Sequence, residues 1–328
     1  MIISQTPYRV SFAGGGTDLP AFFEREPGAV LSVAIQQHMY VTVSPRFDPS
    51  TRIAYTETEI CDSIDDIKHS IAREALRMTG LGKHIEITTI GDVPAGTGMG
   101  SSSSLSVGIL NALYAYKGQT ASPTRLAEAA CKIEIEILGK PIGYQDQYAA
   151  AFGGLNYITF NSDHSVYVDP VPHRPDTISA LEEQVLLLYT QNQRNADDIL
   201  ANQSAGTSEK MSVLRQMRQL AGEMRDAVTD EGDLSEFARL LHEGWLLKRS
   251  LGFGISNTTV DDWYEKARAS GALGGKLLGA GGGGFLLLMA PPDRHESIRE
   301  ALGRPRELPF KVDPRGTRMI FISDRYAF

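Results

Sequence analysis

Residues 93–105 read VPAGTGMGSSSSL, with glycine at 96, 98 and 100, then four consecutive serines and a leucine. A floppy linker and a ligand cradle both fit that composition, so the flanks decide. Upstream, HIEITTI at 84–90 alternates apolar with polar residues as a half-buried strand does. Downstream, Leu105, Ile109, Ala112, Leu113 and Tyr116 repeat at helical spacing as far as Gly118. The stretch therefore joins a strand to a helix. Its serines stand where the first helical N–H groups lack partners and the helix dipole favours an anion. That context reads as a cradle for phosphate or another anion, or else as a tight strand-to-helix turn capped by serine. It is not a Walker loop, which needs a lysine, nor a GxGxxG dinucleotide loop, since position 101 is serine.

The chain has 328 residues, room for two ordinary domains. Cys61 and Cys131 stand far apart without CxxC spacing, which excludes a disulfide scaffold and fits a cytoplasmic setting. A formal charge of −8 with short, mixed-sign charged runs gives nucleic acid or an anionic membrane nothing to bind. MIISQTPYRV has no signal-peptide pattern, and no apolar run is long enough to span a bilayer. Strand-like IISQTPYRVSF, AVLSVAI and MYVTVSP make the first third β-rich. Helices are expected over 65–79, from Ser122-Pro123 through Ile137, and over 143–152 before Gly153-Gly154. LNYITF and SVYVDPV then read as strands, and proline-rich VPHRPDTIS at 171–179 reads as a crossover between halves. Beyond it come a strand at VLLLYT, helices over 207–229 and 234–250, and strands at GFLLLMAP and TRMIFIS around a short helix. The order is α+β in both halves, divided into 1–178 and 179–328. A formal GxGxxG at Gly279, Gly281 and Gly284 runs into a strand and so is not a Rossmann site. The seven histidines show no ligand spacing, and Trp245 and Trp263 read as core or groove lining.

PAGTGMGSSSSL resembles the nucleotide motif of the GHMP small-molecule kinases, the group of galactokinase, homoserine kinase, mevalonate kinase and phosphomevalonate kinase. Two further segments fall in that family's order. TPYRVSFAGGGTDLP is similar to its N-terminal substrate motif, and GGKLLGAGGGGF to its C-terminal glycine-rich motif. With IGYQDQYAAAFGG, the resemblance runs from Pro7 to Phe285. Within the family these segments are most similar to those of bacterial heptose 7-phosphate kinases, and fucokinase domains share several of them. The resemblance implies an N-terminal α+β domain carrying the ATP loop, a ferredoxin-like C-terminal α+β domain, and an active site between them.

It also implies roles for particular residues. Pro94, Gly96, Thr97, Gly98, Met99, Gly100, Ser101, Ser102 and Ser103 would wrap ATP. Ser102, with Ser103 as fallback, and Glu134 would hold Mg²⁺, a hard cation that prefers oxygen. Glu136, two residues on, reads as a solvated or structural charge. Asp146 matches the catalytic aspartate that accepts the proton of the attacking hydroxyl. Arg9 would pair with it or stabilise the transferring phosphoryl group. Asp18, with Thr17 beside it, falls on the sugar-binding aspartate. Galactokinases have Gly-Glu-His where this chain has Gly14, Gly15 and Gly16, which opens space for a longer sugar bearing a phosphate. That phosphate calls for cations, with Arg194 as first choice and Lys248 and Arg249 as others, the latter pair also reading as helix-dipole compensation. Gly281, Gly282 and Gly283 complete the expected substrate site.

The expected reaction is ATP-dependent phosphorylation of the anomeric hydroxyl of D-glycero-D-manno-heptose 7-phosphate, on the way to GDP-heptose for surface polysaccharide. A fucokinase-like sugar 1-kinase is the alternative in that class, and a catalytically silent sugar sensor is the alternative outside it. No nucleic-acid or membrane partner is expected, and a homodimer stays open.

Overall fold

The computed structural model describes residues 1–191, 210–229, 234–252 and 254–323. The N-terminal half is built on a mixed sheet of eight strands. β1 (Ile2–Ala13) pairs with β2 (Gly28–Pro45), and the 18-residue length of β2 lets it take two further partners in succession. Its first part pairs with β6 (Leu155–Phe160), its second with β5 (Ile85–Gly91). β3 (Thr51–Ala54) lies parallel to β5 and carries β4 (Thr58–Cys61), and β7 (Val166–Pro170) flanks β6. The last strand, β12 (Arg318–Ile322), returns from the far end of the chain to the free edge of β1.

Period-two alternation along β1 sorts its side chains. Tyr8, Val10 and Phe12 point into a core shared with the C-terminal half, against Met224, Phe237 and Leu241. Arg9 and Ser11 point the other way, toward a cavity. On that side α3 (Ser101–Tyr116) packs across β1 and β2 through Val107, Leu110 and Leu113, with α2 (Ser70–Thr79), α4 (Pro123–Cys131) and α5 (Gln145–Phe152) around it. A four-residue helix, α1 (Pro20–Phe23), closes the glycine turn after β1.

Among the described residues, the C-terminal half carries a four-stranded antiparallel sheet in the order β11-β8-β10-β9, comprising β8 (Val185–Tyr189), β9 (Gly274–Leu277), β10 (Phe285–Met289) and β11 (Glu307–Leu308). α7 (Met211–Thr229), α8 (Leu234–Ser250) and α9 (Thr258–Ala269) lie between β8 and β9, and α10 (His295–Ala301) between β10 and β11. This β-α-β-β-α-β order is the expected ferredoxin-like arrangement.

The structure corrects three local expectations. Residues 175–184 form α6, with proline at its first turn, running straight into β8. VPHRPDTIS is thus partly a helix start, because proline is well suited to the first helical position, and the 178/179 division falls inside that helix. The helix expected over 65–79 begins at Ser70, capped by the His69 ring, after a short 3₁₀ turn at Ile64–Asp66. The helix expected to reach Ile137 is α-helical only to Cys131 and continues as a π-helix over Lys132–Ile137. The Leu138 N–H bonds the Ile133 carbonyl at 3.0 Å, a five-residue step. The wider turn carries Glu134 into full burial while Glu136 stays exposed.

The returning tail is stitched to the first sheet by Asp313, 2% exposed. Its carboxylate meets a His38 ring nitrogen at 2.7 Å and accepts from Arg318 at 2.9 Å. Burial alone would raise this carboxyl, but hydrogen bonds from His38, the Arg315 N–H and Arg318 outweigh it and hold its pKa below the ordinary value. Such a group adds stability above the ordinary carboxylate range and loses it as pH falls through the lowered folded value. Asp313→Ala leaves the half-buried Arg318 guanidinium and the buried His38 ring without their carboxylate and is expected to lower unfolding stability by about 3 kcal/mol near neutral pH. Urea titrations should show that deficit shrinking below about pH 4.

Candidate active site

Between the halves lies a cavity of about 470 Å³. One wall is the opening stretch. Gly96, Gly98 and Gly100 all have positive φ, and Gly100 leads directly into α3. The first α3 bond is from the Ser104 N–H to the Gly100 carbonyl at 2.9 Å, so the N–H groups of the three preceding serines are free of the helix ladder. The second glycine-rich segment, 274–285, packs against this loop backbone to backbone. A Cβ on Gly98 would come within 2.5 Å of the Leu278 carbonyl oxygen, and one on Gly279 within 2.4 Å of the Gly98 Cα.

Across the cavity, Arg9 holds Asp146 in a two-pronged contact. Nε donates to Oδ1 and Nη2 to Oδ2, each at 2.7 Å, while Nη1 donates to the Gly98 carbonyl at 2.7 Å. The Arg9 backbone N–H bonds the Met99 carbonyl at 3.1 Å, so strand, loop and carboxylate form one unit. A planar guanidinium makes such a fork rigid. Asp18 is 3% exposed and accepts from the Gly16 N–H at 2.8 Å and the Gln145 N–H at 3.5 Å. Burial pushes its carboxyl up; the Gly16 bond opposes this and nearby Asp146 adds to it.

Ser102 and Glu134 also meet. The Ser102 hydroxyl donates to Glu134 Oε1 at 2.5 Å, and Gln147 donates to Oε2 at 3.0 Å. The Lys140 ammonium reaches both, Ser102 Oγ at 2.7 Å and Glu134 Oε1 at 3.1 Å. Two oxygen donors converging beside a helix N-terminus on a point already taken by positive charge fit the chemistry of a hard cation. Lys248 and Lys276 enter from the other half, both buried. Burial, and after it Arg9, lowers Lys248 to about 8; burial, then Lys248 and Arg9, sets Lys276 well below the usual lysine range.

The cavity wall therefore includes Arg9, Gly15, Gly16, Asp18, Gly96, Gly98, Gly100, Ser101, Ser102, Ser103, Asp146 and Lys248 of the expected residues. Others serve the wall without lining it. Thr97 bonds the Pro94 carbonyl at 3.0 Å and Met99 is core, so Pro94, Thr97 and Met99 shape the loop. Thr17 bonds the Gly14 and Ala29 carbonyls at 2.8 and 3.0 Å and pins the glycine turn. Gly281, Gly282 and Gly283 turn away from the cavity: the Gly282 N–H bonds the Ile255 carbonyl at 3.1 Å, and the lining residues here are Gly279 and Ala280. Arg249 pairs with Asp261 at 3.1 Å, and Arg194 lies outside the described residues. Sequence reasoning missed Ser11, Lys140, Gln145 and Lys276. Alternation from Arg9 would have found Ser11, and Lys276 opens a segment already singled out. Lys140 becomes legible only with the π-helix.

The GHMP kinase N-terminal domain model matches residues 67–154 and the GHMP kinase C-terminal model residues 224–306. A D-glycero-alpha-D-manno-heptose 7-phosphate kinase from Campylobacter jejuni is 31% identical over 92% of this chain and 93% of its own. The chain belongs to the GHMP kinase family. It is an enzyme, a sugar kinase of that family, and GHMP kinases use ATP as phosphoryl donor. Among solved structures, a D-glycero-D-manno-heptose 1-phosphate kinase from Bacteroides thetaiotaomicron covers 99% of this chain and 100% of its own, with a TM-score of 0.81 and 28% identity. An L-fucokinase/L-fucose-1-P guanylyltransferase from Bacteroides fragilis is 27% identical over 92% of this chain but only 36% of that protein. Among the described residues no helix is long and apolar enough to cross a membrane.

The apposed GHMP glycine segments yield a direct expectation. Gly279→Ala puts a side chain at φ +73° and against the Gly98 Cα. It should cost about 1–3 kcal/mol in chemical denaturation, whereas Ala280→Gly beside it should cost less than about 1 kcal/mol.

Proposed function

We propose that this kinase transfers the γ-phosphoryl group of ATP to the anomeric hydroxyl of D-glycero-D-manno-heptose 7-phosphate, giving the 1,7-bisphosphate, a precursor toward GDP-heptose. The observation that carries this reading is that the serine loop, the Arg9–Asp146 pair and Asp18 line one cavity, together with the name borne by the 31% identical relative. The apolar wall of Met39, Ile71 and Leu105 suits the adenine base, and the free N–H groups at the start of α3 suit the phosphates.

Phosphoryl transfer needs alignment and charge stabilisation more than covalent help. In this reading Asp18, fixed by the Gly16 N–H, grips sugar hydroxyls and turns the anomeric one toward ATP. As the bond from that oxygen to the γ-phosphorus forms and the bond to the β,γ-bridging oxygen breaks, Asp146 takes the hydroxyl proton. Arg9 holds Asp146 in place and, on the same fork, lies beside the transferring group. Ser102 and Glu134 would hold Mg²⁺, which supplies positive charge to the triphosphate when bound.

A coupled assay for ADP release across a panel of heptose 7-phosphate, free heptose, L-fucose and D-galactose tests the reading. Release should be fastest with heptose 7-phosphate. Fucose as best substrate would instead favour the fucokinase-like activity of the 27% identical relative. Folded protein that binds ATP yet releases no ADP with any sugar would overturn the kinase assignment for this substrate class. Asp146→Asn should lower kcat by roughly 10²–10⁴-fold while retaining nucleotide binding.

A further inference from the structure

Lys276 stands at an odd place for a lysine. It lies within β9, 5% exposed, and its ammonium crosses between the halves to donate to the Ser11 and Phe12 carbonyls at 2.7 and 3.0 Å. Lys248, from α8, is 7% exposed and donates to the Gly279 carbonyl. Both line the cavity. The other cations there are matched, Arg9 by Asp146 and Lys140 by Glu134. Among the described residues neither Lys248 nor Lys276 forms an ion pair, and Asp18 is the cavity carboxylate left to face them. A buried charge without a partner is costly. Two lysines so placed in one cavity suit a ligand that brings negative charge to them.

The surroundings say which end of the ligand that is. Ser11 Oγ and Gln145 Oε1 are buried with no hydrogen-bond partner among the described residues, and both residues line the same cavity. They meet at Gly15, where an added Cβ would lie 3.8 Å from the Gln145 amide nitrogen and 3.9 Å from Ser11 Oγ. Lys276 is bonded to the carbonyl of that same Ser11. A notch at Gly15, two polar groups without a partner among the described residues and a buried ammonium therefore share one corner, on the β1 side of the cavity.

We propose that Lys276, together with Lys248, receives the phosphate the sugar already carries, with Ser11 and Gln145 taking the adjacent hydroxyls. This rests on the reading that the acceptor is a heptose phosphate and names the residues that make the enzyme prefer it to the free sugar. ATP is the other source of phosphate in the cavity, and the test separates the two.

The measurement is the ratio of kcat/KM for D-glycero-D-manno-heptose 7-phosphate to that for unphosphorylated D-glycero-D-manno-heptose. It is taken in wild type, Lys276→Met and Lys248→Met, alongside calorimetric binding of AMPPNP. Methionine keeps all but the last atom of the side chain's length and removes the charge. Each variant should lower the ratio by about 10- to 100-fold, the worth of one charge-assisted hydrogen bond, mostly through KM for the phosphorylated sugar. A ratio unchanged in both variants overturns the proposal, as does a loss that appears in AMPPNP affinity instead, which would assign the lysines to the nucleotide. Should Lys276→Met fail to fold by circular dichroism, Lys248→Met and wild-type calorimetry with the two sugars decide. Equal wild-type affinity for phosphorylated and free heptose overturns the subsite. Absence of wild-type turnover with any heptose phosphate strikes the functional reading itself, whereas turnover with the preference intact in the variants strikes only the assignment of the lysines.

Discussion

The architecture depends on one close approach, that of the backbone at Gly98 to the backbone at Leu278 and Gly279. The first belongs to the loop that starts α3, the second to the link between β9 and β10 in the other half. Thr97 and Gly284 repeat the contact nearby, since a Cβ on Gly284 would lie 2.4 Å from the Thr97 carbonyl oxygen. With no side chains between them, the two loops stand at a fixed separation, and every group that either carries is registered against the other. Lys248 reaches the Gly279 carbonyl and Arg9 reaches the Gly98 carbonyl, so cations from opposite halves are both anchored on this seam.

Around the seam, three of the polar residues are held in part by backbone. The Arg9 N–H is held by Met99, Asp18 by the Gly16 N–H, and Lys276 by two β1 carbonyls. Backbone partners in a paired strand or a pinned turn have little freedom. Groups anchored on them arrive with most of their ordering cost already met, which is the form of preorganisation phosphoryl transfer needs.

Much of this could be read from the sequence, because the decisive features are local. Strand, glycine loop and helix N-terminus occupy one continuous stretch, and β1 carries its alternation in plain view. What the sequence conceals is of two kinds, local patterns that fit more than one conformation and pairs distant in sequence. α6 was hidden because a proline at a helix start and a proline in a linker look alike from composition. The inward turn of Glu134 depends on a π-helix, and KIEIEI by itself reads as well for an α-helix or a strand. Lys276 and Ser11 are 265 positions apart, and nothing in either segment announces that a lysine of one half will be capped by carbonyls of the other. All four glycines at 281–284 belong to the glycine-rich motif, yet none lines the cavity, and Gly281 and Gly282 pack on Ile255 while Gly284 packs on Thr97, showing that a motif's span exceeds its working surface.

Lys140 has a further consequence. Its ammonium lies on both Ser102 and Glu134, the two groups on which a divalent cation would sit. Glu134 is fully buried, and a carboxylate at that depth needs a neighbour of opposite sign. The lysine provides it, so in the proposed reading a metal would take the place of one positive group and not fill a hole. Glu134 would then have a positive neighbour before and after the exchange. On that reading the tip of one side chain, and not the core or the loop, is what a metal would displace.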